Sequence, residues 1–109
     1  MTQYSHLHCH SQFSLLDGAS PIDDMFAKAK ADGMRAVAIT DHGNMFGAYK
    51  FVNSGLKHGV KPIVGCEFYV VEDRYRKSFV GDSKDKRYHQ LILAKNQKGY
   101  ENLSLLCSL

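Results

Sequence analysis

An almost continuous apolar run at residues 36–39 (Ala-Val-Ala-Ile) constrains the fold more than any other feature of the sequence. Such a run is typical of a strand buried on both faces, as in a parallel sheet covered by helices. Apolar residues recur at helical spacing before it, at 22–29, and after it, at 45–56. A second run begins at Lys61 and continues to Val71. This order predicts an α/β fold with a parallel sheet, or part of a barrel.

Capping signals set the expected limits of the two helices. Ser20 suits the N-cap of the first helix and Pro21 its first position, and Gly33 suits the position just after its end. Asn44 is a plausible N-cap for the second helix, which Gly59 closes.

The ends of the chain are less regular. Residues 4–8 predict a first strand, 72–87 a charged loop, and 88–94 a fourth strand. A last helix begins at Asn96 or Lys98, with an apolar face of Tyr100, Leu103 and Leu106. No helix-stop signal precedes Leu109, so we expect the chain to be a piece of a longer protein.

Composition excludes several classes of protein. The 109 residues suffice for at most one domain, and no run of about 18 apolar residues predicts a membrane span. The net charge of +3 does not by itself argue for nucleic acid. Cys9, Cys66 and Cys107 form no Cys-x-x-Cys pair, and no secretory signal precedes them. We therefore expect a cytoplasmic protein with reduced cysteines, of which Cys9 and Cys66 pack in the interior.

Candidate metal ligands follow three successive predicted strands. His8 and His10 follow the first strand, His42 the second, and Glu67 the apolar core of the third; Asp17 lies in the first loop. Functional side chains of parallel α/β barrels meet at the carboxyl ends of the strands. Imidazole and carboxylate together suit Zn²⁺, Mn²⁺ or Fe²⁺, and such ions activate water and clamp phosphoryl groups. The residues alone leave open that these histidines are merely exposed and that Asp41 caps a helix.

The predicted loop at 72–87 is rich in basic residues. They are Arg74, Arg76, Lys77, Lys84, Lys86 and Arg87, with Tyr75 and Phe79 among them. Interleaved basic and aromatic residues can bind single-stranded nucleic acid, but an ordinary solvated loop has the same composition.

Four segments resemble a known family. They are HLHCHSQFSLLDG at 6–18, AITDHGN at 38–44, KPIVGCE at 61–67, and the stretch 89–96 with GYENL at 99–103. Together they are similar to PHP (polymerase and histidinol phosphatase) domains, in the form found in bacterial polymerase III alpha subunits. The SLLDG and KPIVG segments separate the chain from histidinol phosphatases.

The resemblance implies that residues 1–109 are the N-terminal part of a PHP domain, with the first three to four strands of a distorted seven-stranded barrel. It implies a site for up to three divalent ions, Zn²⁺, Mn²⁺ or Mg²⁺. Glu67 would bridge two of them, and Glu67 and His10 would be catalytic. The implied ligands are His8, His10, Asp17, His42, Glu67 and His89. His89 has less support from the pattern, because it lies near the start of its predicted strand.

For function, the resemblance implies a parent DNA-directed polymerase of DNA replication whose PHP domain is a phosphoesterase or 3′–5′ exonuclease. Its partners would be primer-template DNA and other replicative holoenzyme subunits. This chain, which lacks the polymerase carboxylates, would not polymerise DNA and would be inactive when isolated. Two alternatives are a non-catalytic module that stabilises the polymerase or docks a proofreading partner, and a free-standing phosphatase. Uncovered sheet edges and helix faces also predict self-association.

Overall fold

A computed structural model of the protein describes residues 4–14, 18, 20–71, 73, 75 and 88–109. Its regular elements there are three helices and three strands. In chain order they are α1 (Ile22–Ala31), β1 (Ala36–Ile39), α2 (Ala48–His58), β2 (Lys61–Val70), β3 (Tyr88–Leu93) and α3 (Gln97–Ser108). The alternation of strands and helices confirms the predicted α/β class.

The three strands form a mixed sheet in the order β1-β2-β3. β1 and β2 are parallel, with Val37 opposite Pro62, and α2 connects them. β3 is antiparallel to β2, with Tyr69 opposite His89. The prediction of an all-parallel sheet is therefore wrong at β3. A parallel partner needs a crossover, usually a helix, and residues 72–87 have no apolar period that would form one.

The N-terminal segment runs beside β1 but is not a strand, so the strand predicted at 4–8 is wrong. Two backbone bonds link it to β1 and the residue that follows: Ala38 N–H donates to the His6 carbonyl at 2.9 Å and Thr40 N–H to the Cys9 carbonyl at 2.8 Å. The Cys9 N–H donates instead to the Thr40 hydroxyl at 3.0 Å. The Thr40 hydroxyl thus takes the place of a backbone acceptor, and this interrupts the ladder of backbone hydrogen bonds between the N-terminal segment and β1.

The glycine stops were predicted more accurately than the helix starts. Gly33 and Gly59 have φ of 78° and 72°, the left-handed region expected after a helix. The N-cap of α1 is Pro21 rather than Ser20, because the Pro21 carbonyl already accepts from Met25 N–H at 3.1 Å. The N-cap of α2 is Gly47 rather than Asn44.

The main core lies where α1 and α2 pack on the sheet. Its buried members are Ile22, Phe26, Ala29, Met34, Val37, Ile39, Phe51 and Val60. The rings of Phe26 and Phe51 have centroids 4.5 Å apart, which joins the two helices. Cys9 packs against this cluster, as predicted from its alternation with the histidines.

α3 packs against β2. Its N-cap is Asn96, one of the two residues predicted to begin this helix, and the Asn96 side-chain oxygen accepts from Gly99 N–H at 2.9 Å. Of the predicted apolar face, Leu103 is buried, whereas Tyr100 and Leu106 remain partly exposed. Cys66 is fully buried, as predicted, and its sulfur is 3.9 Å from that of Cys107. Among the described residues, no helix is long and apolar enough to cross a membrane.

Candidate metal centre

Glu67 lies on β2 just beyond the point where β1 ends. Its side chain is only 4% exposed. Its N–H donates to the Asp41 carbonyl at 3.0 Å, and its carbonyl accepts from Gly43 N–H at 3.0 Å. These bonds continue the parallel pairing through a bridge between His42 and Glu67. They hold the Glu67 carboxylate at the carboxyl end of the β1–β2 pair, which we call the rim.

Four histidines surround the Glu67 carboxylate. His8 Nε2 is 3.0 Å from Oε1 and His10 Nε2 is 3.0 Å from Oε2. His42 Nε2 contacts Oε2, and His89 Nδ1 lies 3.7 Å from Oε1. The four histidines predicted as ligands from scattered positions in the sequence therefore meet at one carboxylate.

His89 reaches the rim because β3 is antiparallel. In a parallel strand, a residue near the start would lie at the far end of the sheet from Glu67. The antiparallel register instead puts His89 opposite Tyr69, two residues beyond Glu67 and on the same face. The low support that the sequence pattern gave to His89 came from the wrong strand direction.

The donor atoms are spaced as two overlapping groups. One contains His8, His10 and Glu67, and the other His42, Glu67 and His89, with all ligand atoms of each group within 4.8 Å. Two ligands bound to one tetrahedral ion at 2.0–2.1 Å lie about 3.3–3.4 Å apart, close to the 3.0 Å contacts at Glu67. Imidazoles and a carboxylate fit Zn²⁺ or Mn²⁺. Glu67, which belongs to both groups, is in the position of a bridging ligand.

The cysteines near the rim are unsuited to this chemistry. Burial raises the pKa of the Cys9 thiol. Burial first, and then the neighbouring Cys107, raises the pKa of Cys66 to about 12. The thiolate is the form that binds metal or acts as a nucleophile, and burial disfavours that form in both groups.

An aromatic ring flanks one side of the cluster. Tyr69 stacks on His42 with ring centroids 5.8 Å apart and meets His89 edge to face at 4.9 Å. Tyr69 is itself 48% exposed. No feature of the sequence indicated this contact, since Tyr69 has the pattern of an ordinary strand residue.

Sequence reasoning also missed the polar residues between the histidines. Asp41 and Ser11 are buried and hydrogen-bonded to each other, so Asp41 does not cap α2. Asn44 donates to the carbonyls of Phe13 and His42, at 3.3 and 3.0 Å. The hint in the sequence was their position, each within two residues of a candidate ligand.

Several predicted residues lie outside the described part of the chain. They are the candidate ligand Asp17 and the basic residues Arg74, Arg76, Lys77, Lys84, Lys86 and Arg87. Their metal and nucleic-acid roles stay predictions. Tyr75, which lies among the basic residues, is 70% exposed.

A family model described as the PHP domain matches residues 6–109, nearly the whole chain. The chain belongs to the PHP family. The match includes every segment from which the resemblance was inferred, so that prediction is confirmed.

Curated relatives of this PHP chain carry one common description. This chain is 45% identical over 108 residues to DNA polymerase III subunit alpha of Borreliella burgdorferi, and the alignment covers 99% of this chain and 9% of that protein. The same-named protein of Aquifex aeolicus is 48% identical over 111 residues, covering 97% of this chain and 10% of that protein. This chain therefore spans about a tenth of the length of these relatives.

Solved structures share the fold at lower identity. A predicted metal-dependent phosphoesterase from Bifidobacterium adolescentis superposes with a TM-score of 0.65 and 22% identity, covering 93% of this chain and 32% of that one. An amidohydrolase from Chromobacterium violaceum, solved with sulfate and no metal, gives 0.63 with the same identity and coverage. At this identity the likeness concerns the fold alone.

Proposed function

We propose that this chain is the N-terminal part of the PHP domain of a bacterial DNA polymerase III alpha subunit, and that its rim binds divalent metal ions for phosphoester hydrolysis. The observation that carries the proposal is one buried carboxylate, Glu67, shared by two groups of histidine nitrogens. The polymerase relatives support the proposal that the parent protein is a DNA polymerase III alpha subunit, since they match 97% or more of this chain. The phosphoesterase-like fold supports the reaction class.

Each residue of the rim has a proposed part. His8, His10 and Glu67 would hold one ion, and His42, Glu67 and His89 would hold a second. Asp17 supplies a further ligand. Bound divalent ions lower the pKa of water and neutralise charge on a phosphoryl group. Glu67 would be the ligand common to both ions, and His10, whose side chain is only 17% exposed, would line the buried part of the site.

The proposed substrate is the 3′ end of a primer strand during DNA replication, and the proposed location is the cytoplasm. His8 and His89 are about half exposed, so the rim is open to a strand on that side. The basic residues between 74 and 87 would contact the phosphates. DNA synthesis itself, and contacts with other holoenzyme subunits, belong to the rest of the parent. The strands described above would begin a seven-stranded barrel that the remainder of the domain completes.

A second function, metal-dependent folding without catalysis, is favoured by one observation. His8, His10 and His42 lie outside the helices and strands. Ions shared with Glu67 would tie these segments to β2, and that binding energy would stabilise the fold of the polymerase.

The deciding experiment uses the full-length protein and a primer with a mispaired 3′ end. We expect His10→Ala and Glu67→Ala to abolish both metal content and release of the terminal nucleotide, while DNA synthesis continues. His58→Gln, at the last residue of α2 and in neither group of candidate ligands, is the matched histidine control and should retain all three. If the two variants lose metal but the wild-type protein itself shows no hydrolysis, the folding function is favoured. Hydrolysis retained in both variants would exclude the rim as the active site.

A further inference from the structure

Three candidate ligands of the rim depend on irregular backbone. His8 and His10 precede α1, and His42 lies between β1 and α2. Residues outside helices and strands have more conformational freedom, and ordering them costs conformational entropy. A metal site built on such segments needs another device to hold its ligands in register before an ion arrives.

Asp41 provides the first part of this device. It is 1% exposed, and its Oδ1 accepts from Ser11 N–H at 2.5 Å while its Oδ2 accepts from the Ser11 hydroxyl at 2.7 Å. Ser11 directly follows His10, and Asp41 directly precedes His42. One carboxylate therefore fixes the backbone beside two candidate ligands that are 32 positions apart in the sequence (10 and 42).

Further bonds complete the connection to all three segments of the rim. His42 N–H donates to the Ser14 hydroxyl at 3.2 Å, and the Asn44 amide donates to the Phe13 carbonyl at 3.3 Å. The Asp41 carbonyl accepts from Glu67 N–H at 3.0 Å. We call Ser11, Ser14, Asp41 and Asn44 the rim lock.

We propose that Asp41, acting through Ser11, is a positioning residue that sets His10 against His42 and Glu67 and thereby raises the metal affinity of the rim. This inference rests on the proposed metal-binding function. Asp41 belongs to neither group of donor atoms, and both of its oxygens face Ser11. Its role is therefore to hold the ligands in place, without itself contacting an ion.

The test measures the affinity of the full-length protein for Zn²⁺ by competition with a chelating indicator. We expect Asp41→Ala and Ser11→Ala each to weaken binding roughly 10-fold to 100-fold, the range known for residues that orient metal ligands. Asp41→Asn should recover most of the affinity, because its amide can accept from Ser11 N–H and donate to the Ser11 hydroxyl.

A matched control separates positioning from general stability. Ser54→Ala removes another buried serine bonded to an aspartate, Asp23, in the contact between α1 and α2. The melting temperature of each metal-free variant is measured in chelator. We expect Ser54→Ala to lower this temperature and leave the affinity for Zn²⁺ unchanged, whereas Ser11→Ala lowers the affinity.

Three results would overturn the inference, and they are distinguishable. If wild type binds no Zn²⁺, the proposed function fails together with it. If His10→Ala loses Zn²⁺ while Asp41→Ala and Ser11→Ala bind as wild type does, only the positioning role fails. If Asp41→Asn binds as weakly as Asp41→Ala, the charge of Asp41, and not its hydrogen bonds, supports the site.

Discussion

Glu67 shows how much one residue depends on its surroundings. An isolated ionised carboxylate would be costly at 3% exposure, and here histidine nitrogens lie near both oxygens. The same residue contributes its backbone N–H and carbonyl to the bridge with the segment 41–43. These backbone bonds fix the position of Glu67 relative to the segment that carries His42.

The hydrogen bond of Asp23 predicts how the free energy of unfolding changes at acidic pH. A hydrogen bond from the Ser54 hydroxyl, helped by Lys57, Lys50 and His58, lowers the pKa of Asp23 below its usual 3.8. A carboxyl whose pKa is lower in the folded state stabilises the protein above pH 3.8, and this contribution is lost as pH falls through the folded value. We expect Asp23→Asn to flatten the fall in the free energy of unfolding between about pH 5 and pH 2.

The measurement is urea unfolding at several pH values in that window. Asp24→Asn, in the same first turn of α1, is the control. A slope in Asp23→Asn as steep as that of wild type would show that the Ser54 bond does not contribute.

At the scale of elements, the pairing of β2 with β3 decides whether His89 reaches the rim. Gly65 lies at the point of closest approach: an added Cβ would be 2.6 Å from Leu93 Cδ2 and 2.7 Å from the Ile92 carbonyl oxygen. The Ile92 carbonyl oxygen belongs to the backbone, so it cannot move aside as easily as the end of a flexible side chain. The glycine therefore permits the two strands to pair beside Glu67.

Gly65→Ala should accordingly destabilise the protein, by about 1–3 kcal/mol as for other overpacked sites. Gly99→Ala is the matched control in the first turn of α3, where the nearest atom to an added Cβ is at an ordinary 3.4 Å. There we expect a gain of up to about 1 kcal/mol from helix propensity. The free energy of unfolding of both variants is measured in urea. Equal changes in Gly65→Ala and Gly99→Ala would mean that the β2–β3 contact at Gly65 is not tight.

At the scale of the whole molecule, large apolar side chains remain on the surface. On the sheet these include Tyr69 and Tyr88, on α3 they include Leu105 and Leu106, and the C-cap residue Leu109 follows; all are at least 43% exposed. Clustered exposed apolar residues mark surfaces that pair with other protein. In the proposed parent, the rest of the domain would cover them.

We therefore expect the 109-residue chain to self-associate at micromolar concentration when it is prepared alone. Sedimentation equilibrium measures this directly. Leu105→Lys should shift the population toward monomer, while Glu101→Lys, exposed on the same helix, should not. A monodisperse wild-type monomer would contradict the prediction.

The sequence by itself determined the local elements and the family. Apolar periodicity located β1, β2 and both central helices, and the glycines at 33 and 59 ended the helices where expected. These features are local: burial and backbone conformation of a few neighbouring residues leave a direct trace in residue type. The motifs at 6–18, 38–44 and 61–67 were enough to name the PHP family.

Only the tertiary structure decided the direction of β3, the interrupted pairing of the N-terminal segment, and the rim lock. Each depends on contacts between residues distant in sequence, such as Ser11 with Asp41 and Tyr69 with His89. Periodicity reports which face of an element is buried, but it does not report the partner or the strand direction. A polar side chain bonded to backbone some 30 residues away has the same local pattern as one in solvent, so its role becomes visible only once the chain is folded.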